Sequence, residues 1–182
     1  MRCIIVAVLL FVSIFAHGQQ EGYYHVQKGR IDFSSDAPAE LIRASSEQLK
    51  GILDTRAGIF AFKISIPSFT GFNNPLQQEH FNENYMESDV FPEATYTGKI
   101  IETIDYSKKG TYSVRTKGKL LIHGITQERI IKSTINVLDN KITVQSSFTV
   151  LLADYNIKIP RIVDNNLSKE IQVSVSATLV NK

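Results

Sequence analysis

The dominant feature of the sequence is an alternation of apolar and polar residues with a period of two. Such alternation is typical of β-strands that bury one face and expose the other. It recurs about eight times along the chain. The alternating stretches begin at or near Ile31, Leu49, Phe60, Thr95, Tyr112, Ile131, Ile142 and Ile171. The sequence therefore predicts a protein built mainly of strands.

The stretch that follows Gly110 is the longest of these. Apolar or small residues occupy every second position from Tyr112 to Ile122, and basic residues such as Lys117 lie between them. Asp139-Asn140 is a plausible two-residue hairpin turn between the next two stretches. Short turns of this kind predict antiparallel neighbours.

Two segments depart from the alternation. Asn74-Pro75 supplies an N-cap residue and a proline at the first helical position, which predicts one short helix over residues 76–88. Phe91-Pro92 closes this segment. A shorter helical turn is predicted over residues 38–42, after Asp36.

These elements predict an all-β fold. Long antiparallel strands must either pack against a second sheet or close on themselves, and eight consecutive strands favour closure. The expected architecture is an eight-stranded antiparallel up-and-down barrel, which is just wide enough to fill with side chains or to hold one elongated ligand. A two-sheet sandwich with Greek-key connections is the alternative, because alternation alone does not separate the two.

The first eighteen residues differ from the rest of the chain. Met1-Arg2 is a positively charged start, residues 3–16 are almost entirely apolar, and Ala16-His17-Gly18 places small residues at positions −3 and −1 of a cleavage site. This predicts a secretory signal peptide over residues 1–18, because about 14 apolar residues are too few to span a membrane. Residues 19–182 are expected to form one exported domain, periplasmic or secreted, with no membrane anchor after cleavage.

Composition narrows the chemistry of that domain. Lys and Arg number 20 against 18 Asp and Glu, and no basic stretch is present, so nucleic acid is not an expected partner. Cys3 is the only cysteine, so signal removal leaves no thiol for catalysis, disulfides or metal binding. His25, His80 and His123 lack metal-ligand spacing, and the chain has no G-x-S-x-G elbow. We therefore expect no metal, no cofactor and no enzymatic activity.

Three blocks of sequence resemble one known family. They are FPEATYTG at residues 91–98, GKLLIHGIT at 118–126, and residues 148–160, which end in DYNIKIP. Their order and spacing are similar to those of the YceI-like family of exported bacterial proteins. The resemblance covers residues 22–182 and implies a lipocalin-like barrel that binds polyisoprenoids or other long-chain lipids in its cavity.

The apolar residues on the inward parity of the strands are the candidate cavity wall. They carry no charge, which suits an alkyl or isoprenoid chain that gains roughly 0.8 kcal/mol per buried CH₂. The set comprises Phe60, Phe62, Val114, Leu120, Ile122, Ile135, Val144 and Phe148. From alternation alone, the same residues could equally form a filled core, and the family resemblance favours the cavity.

A few polar residues are candidates for binding the ligand's head group. Asp154, Tyr155 and Asn156 follow a long strand and are expected at the barrel rim, although they could instead cap a loop. His80 on the helix could face the barrel mouth, and Tyr112 could place a hydroxyl inside.

The sequence thus predicts an exported, non-enzymatic protein that sequesters or transports a long-chain apolar lipid, polyisoprenoid or fatty-acid-like. Two alternatives stay open at this point. One is a filled barrel that acts as a structural or interaction protein without a small ligand. The other is an enzyme that modifies a lipid in the cavity.

Overall fold

The computed structural model describes residues 22–163 and 165–181 of the chain. The expected signal peptide, residues 1–18, and its cleavage point lie outside the described residues. Strands make up most of the described chain, as the alternation predicts. They are β1 (Tyr23–Asp36), β2 (Leu41–Ser46), β3 (Lys50–Asp54), β4 (Ile59–Ser65), β5 (Glu93–Ile100), β6 (Gly110–Ile122), β7 (Ile125–Val137), β8 (Lys141–Leu151) and β9 (Glu170–Asn181).

The strands close into one antiparallel barrel. Each strand from β3 to β8 pairs with the next one along the chain, and β1 pairs with β9, β3 and β2. β2 and β3 both pair with β1 in the same register, and a bridge between Gln48 and Gly29 lies between the two pairings. β2 and β3 therefore act as one strand of the barrel that is interrupted at residues 47–49. The nine strands therefore occupy eight positions. The predicted eight-stranded antiparallel barrel is confirmed, and the sandwich is excluded.

The barrel opens at one end because β2 and β4 diverge. β4 pairs with β3 no further than Lys63 opposite Lys50, while β2 continues along β1 instead. The chain leaves β4 through a 3₁₀ turn, Ile66–Ser68, and meets β2 again at a single bridge between Ser45 and Thr70. The segment that follows covers this open end, and we call residues 66–91 the cap.

The cap contains the helix that the sequence predicts. The helix α1, Pro75–His80, begins after Asn74, whose Oδ1 accepts a hydrogen bond from the Gln77 backbone N–H at 2.9 Å. It continues as one π-helical turn, Phe81–Tyr85, and Glu87 then adopts a left-handed φ of 44°, which ends it before residue 88. No helix in the described part of the chain is long and apolar enough to cross a membrane.

The helical turn predicted over residues 38–42 is wrong, because the chain forms a tight β-hairpin there. The Ala37 N–H donates to the Glu40 carbonyl at 3.0 Å, and the Glu40 N–H donates back to Ala37 at 3.3 Å. Leu41 already belongs to β2. Proline fits the first position of a turn as well as that of a helix, and here pairing with β1 decides between them.

The other end of the barrel is filled with side chains. Its six central residues pack into one cluster, and each is at most 4% exposed. They are Leu53, Val114, Ile135, Val137, Ile142 and Leu179. We call this cluster the filled end. Burying an aliphatic side chain of this size contributes roughly 1.5–3 kcal/mol, so the filled end is a major source of the barrel's stability.

Candidate functional site

An internal cavity of about 340 Å³ lies between the filled end and the cap. A volume of this size is within the range of small-molecule binding sites. Inward-facing residues of β1, β4, β6, β8 and β9 line it together with side chains of the cap, and most of them are apolar. This cavity is the candidate functional site.

Most of the apolar residues selected from the sequence lie on the cavity wall. They are Phe60, Phe62, Leu120, Ile122, Val144 and Phe148. Val114 and Ile135 do not line the cavity, because both belong to the filled end and are 2% exposed. Their inward parity is as expected. Alternation reports the side of a strand on which a residue lies, and it does not report whether the space there is filled.

Four phenylalanines roof the cavity. Phe33 comes from β1, and Phe69, Phe72 and Phe81 come from the cap. Their ring centroids lie 5.1–6.0 Å apart, and Phe33 stacks on Phe81 with an interplanar angle of 23°. Such pairs are worth about 0.5–1.5 kcal/mol beyond their burial, so they hold the cap on the barrel. The sequence pattern does not indicate this roof, because three of the four residues lie in the cap, where alternation gives no signal.

Four of the hydroxyl residues that line the cavity lie on four consecutive strands, β5 to β8. The Tyr96 ring lies against Gly118, where a Cβ would come within 2.9 Å of it, and the Tyr96 hydroxyl reaches Thr116 Oγ1 at 3.0 Å. On the neighbouring strands, Ser133 Oγ and Ser146 Oγ lie 2.6 Å apart. All four residues line the cavity, and we call them the hydroxyl row.

Polar residues from three segments mark the mouth of the cavity. The Glu40 carboxylate of the β1–β2 hairpin accepts hydrogen bonds from Gln77 Nε2 at 2.5 Å, Asn73 Nδ2 at 3.2 Å and Asn166 Nδ2 at 3.4 Å. It thereby ties the hairpin to the cap and to the loop before β9. His80 also lines the cavity here, where the sequence places it, and its contact with a ligand stays a prediction.

The other polar candidates are not among the described residues that line the cavity, and the Tyr112 hydroxyl does not lie inside it as expected. Tyr155 is 0% exposed and packs beside the cavity, and the described residues offer its hydroxyl no partner. Asp154 lies 3.6 Å from Arg129, and Asn156 ends a 3₁₀ turn with a φ of 56°. Tyr112 donates to two backbone carbonyls of the β5–β6 loop, near the filled end. A role of these residues in binding a head group stays a prediction.

His123 joins the end of the cap to two other loops. Its Nε2 lies 2.6 Å from Glu87 Oε2, and its Nδ1 donates to the Tyr155 carbonyl at 3.0 Å, because a carbonyl can only accept. Among the described residues, only Glu87, His123 and Asn156 combine a side chain with a positive φ, of 44°, 49° and 56°. His123-Gly124 forms the two-residue β6–β7 turn, which requires that geometry. We call the Glu87–His123–Tyr155 contact the clamp. The sequence pattern does not indicate this contact.

Away from its mouth, the cavity wall is an apolar surface with a few hydroxyl groups. Burial raises the pKa of Tyr96, and the Thr116 hydrogen bond and the Arg129 charge oppose that rise in part. Burial also raises the pKa of Tyr85, which lines the cavity as well. Both phenols are therefore neutral at physiological pH. The described residues contain no group of three or more His, Cys, Asp or Glu that could hold a metal ion.

A closed eight-stranded antiparallel sheet around an apolar cavity, with a helical cap over one end, defines a lipocalin-like barrel. The sequence model of the YceI-like domain matches residues 11–179. The chain therefore belongs to the YceI-like family, as its three sequence blocks indicate. No curated protein matches the chain.

Solved structures share this fold at low sequence identity. A polyisoprenoid-binding domain from Saccharophagus degradans, implicated in plant cell wall breakdown, matches with a TM-score of 0.75 and 17% identity, over 88% of this chain and 99% of that one. BcnA of Burkholderia cenocepacia matches with a TM-score of 0.69 and 13% identity, over 82% and 95%. The Campylobacter jejuni YceI protein matches with a TM-score of 0.61 and 17% identity, over 76% and 84%.

Proposed function

We propose that this protein is an exported, non-enzymatic binding protein that holds a long-chain apolar lipid, a polyisoprenoid or a fatty-acid-like molecule, in the barrel cavity. The observation that carries the proposal is the cavity of about 340 Å³ with mostly apolar walls. Native cores have few voids larger than a water molecule. A cavity of this size in an otherwise packed barrel therefore favours a bound apolar molecule over a filled interaction module.

The roof and the mouth support the same function. The four phenylalanines of the roof present flat apolar surfaces to the cavity, and a chain lying against them is removed from water. The mouth carries Glu40, Gln77 and His80, so a polar end can stay hydrated there. The polyisoprenoid-binding domain of Saccharophagus degradans supports this ligand class by its shared fold. The apolar stretch of residues 1–18 supports export.

Lipid extraction and probe binding test the proposal. Protein exported from its native cells is extracted with organic solvent, and the extract is analysed by mass spectrometry. Delipidated protein is then titrated with the neutral fluorophore N-phenyl-1-naphthylamine. We expect a co-purifying long-chain lipid and a probe that long-chain lipids displace.

A pair of tryptophan variants locates the binding. Val144 faces the cavity and Gln145, the next residue on β8, is exposed on the outside. Val144→Trp fills part of the cavity and should weaken probe binding tenfold or more, whereas Gln145→Trp should leave it unchanged. A clean extract together with no probe binding by the wild-type protein would contradict the proposed function.

A further inference from the structure

The hydroxyl row lies at the inner end of the cavity. Ser133 pairs with Val114 of the filled end across β6–β7 and with Ser146 across β7–β8. Ser146 in turn pairs with Val175, four residues along β9 from Ile171 at the end of the strand nearest the mouth. At ~3.3 Å per residue, the two serines lie roughly 13 Å along the strands from that end. A ligand that enters from the mouth thus reaches the hydroxyl row with its leading end.

The hydroxyl row has unused hydrogen-bonding capacity. Ser133 and Ser146 carry two hydroxyl hydrogens, and their mutual bond uses one of them. Within the described residues, no acceptor takes the second. Tyr96 donates to Thr116, and Thr116 Oγ1 donates to the Ile131 carbonyl at 3.1 Å, which leaves lone pairs free on the Tyr96 oxygen. The row can therefore donate one hydrogen bond and accept others.

Among the described residues, no charged side chain lines the cavity at this end. Apart from the tyrosines, the ionisable residues of the wall are Glu40, Lys63 and His80. They belong to the β1–β2 hairpin, the end of β4 and the cap, all at the open end. Arg129, which influences Tyr96, is not among the residues that line the cavity, and its charge is already paired: its guanidinium donates to the Thr149 carbonyl at 2.7 Å and lies 3.6 Å from the Asp154 carboxylate. An ionised carboxylate or phosphate buried at the row would lack a counter-charge, which is costly.

We propose that the hydroxyl row binds one uncharged oxygen, a carbonyl or a hydroxyl, at the inner end of a long-chain ligand. Ionised ends then face the mouth. This inference rests on the proposed function and specifies which lipids the cavity prefers. The alternative hypothesis is that Ser133 and Ser146 only stabilise the barrel wall and contact no ligand. Both serines also border a polar outer groove of about 510 Å³, at the point where β7 and β8 stop pairing.

Three ligands of equal length test the inference. Delipidated wild-type protein and the Ser133→Ala/Ser146→Ala double variant are compared by displacement of N-phenyl-1-naphthylamine with 2-pentadecanone, pentadecane and pentadecanoate. Removing both partners of a hydrogen bond is nearly neutral for stability, so the double variant should fold. The control is Ser113→Ala/Ser147→Ala, which removes two exposed hydroxyls that border the outer groove instead of the cavity.

We expect the Ser133→Ala/Ser146→Ala variant to raise the Kd of 2-pentadecanone about three- to tenfold, the worth of one neutral hydrogen bond. The Kd of pentadecane and of pentadecanoate should stay unchanged, and the control variant should match the wild type. Equal Kd values for the ketone in the wild type and the variant would overturn the inference and leave the proposed function intact. Equal weakening of the ketone and the carboxylate would overturn it as well. If none of the ligands binds the wild-type protein, the proposed function itself fails.

Discussion

One substitution made at two places separates the cavity from the filled end. Leu120 on β6 lines the cavity and is 6% exposed, whereas Leu53 on β3 belongs to the filled end and is 2% exposed. Leu→Ala removes the same three carbon atoms, Cγ, Cδ1 and Cδ2, in both cases. The two variants therefore differ only in what surrounds the deleted atoms.

The structure gives different expected costs for the two deletions. Three buried carbons correspond to about 2.4 kcal/mol of transfer free energy at ~0.8 kcal/mol each. Leu53→Ala also leaves a new void among packed neighbours, so we expect a total loss of about 3–5 kcal/mol. In Leu120→Ala, the volume of the deleted atoms is added to a cavity that already exists, so little new void is created. Its expected loss is about 1.5–2.5 kcal/mol.

Urea unfolding of delipidated protein measures these losses, because a bound lipid would add its own stabilisation. The second measurement is the Kd for a series of 2-alkanones of increasing chain length. Leu120→Ala enlarges the cavity and should move the tightest binding to chains a few carbons longer. Leu53→Ala should leave the preferred length unchanged, and Lys119→Ala, on the exposed side of β6, should change neither quantity.

Two results would refute this reasoning. Equal losses of stability in Leu53→Ala and Leu120→Ala would mean that the barrel is packed similarly at both ends. An unchanged chain-length preference in Leu120→Ala would mean that its side chain does not bound the ligand. Both results together would favour a filled barrel.

Three further predictions concern other parts of the chain. The exported protein should begin at Gln19, as the small residues before it predict, and N-terminal sequencing checks this; a retained Met1 would contradict the signal peptide. Glu87→Ala and His123→Ala should each lower the free energy of unfolding, measured in urea, by about 1–3 kcal/mol. The double variant should lose less free energy of unfolding than the sum of the two single losses; additive losses would show that the clamp does not couple the two residues. Burial raises the pKa of Tyr106 from 10 to about 12 in the folded protein. As the pH rises, the phenol therefore ionises in the unfolded state before it does so in the folded state, and the free energy of unfolding falls between about pH 10 and 12. Tyr106→Phe removes a buried hydroxyl that lacks a partner among the described residues, and should keep stability at pH 7 and reduce the alkaline loss; an identical pH profile would contradict the burial.

The strands and their inward faces could be predicted because they depend on local pattern. On β6 the even-numbered residues from Tyr112 to Ile122 face inward and the odd-numbered residues 111–119 are exposed, as the alternation indicates. Asn74 caps α1 for a reason that is equally local, since its side chain needs only the N–H of Gln77. Each of these features is decided within a few residues of sequence.

The features that the sequence analysis missed depend on residues distant in the chain. The hairpin at residues 37–40 forms because β2 finds β1 as a partner. Phe33 becomes part of the roof only when the cap folds over β1 and brings Phe81 to 5.3 Å from it. His123 meets Glu87 across 36 residues, and the local sequence around either residue does not indicate the other as its partner. A period-two pattern carries no information on such contacts.

The cavity itself follows from how the sheet is paired. At the filled end every strand has hydrogen-bonded neighbours on both sides, and opposite walls meet around Leu53 and Ile135. Toward the cap, two pairs of neighbouring strands lose their backbone pairing. β2 separates from β4, and β7 separates from β8 beyond Ser133. In the second gap, the Arg129 side chain donates to a β8 carbonyl in place of a backbone N–H. A barrel that loses pairing at two seams widens there, so side chains of normal size on opposite walls no longer touch. Leu120 and Val114 thus have the same parity on one strand, and the pairing of the strands around them decides that one bounds a cavity while the other fills a core.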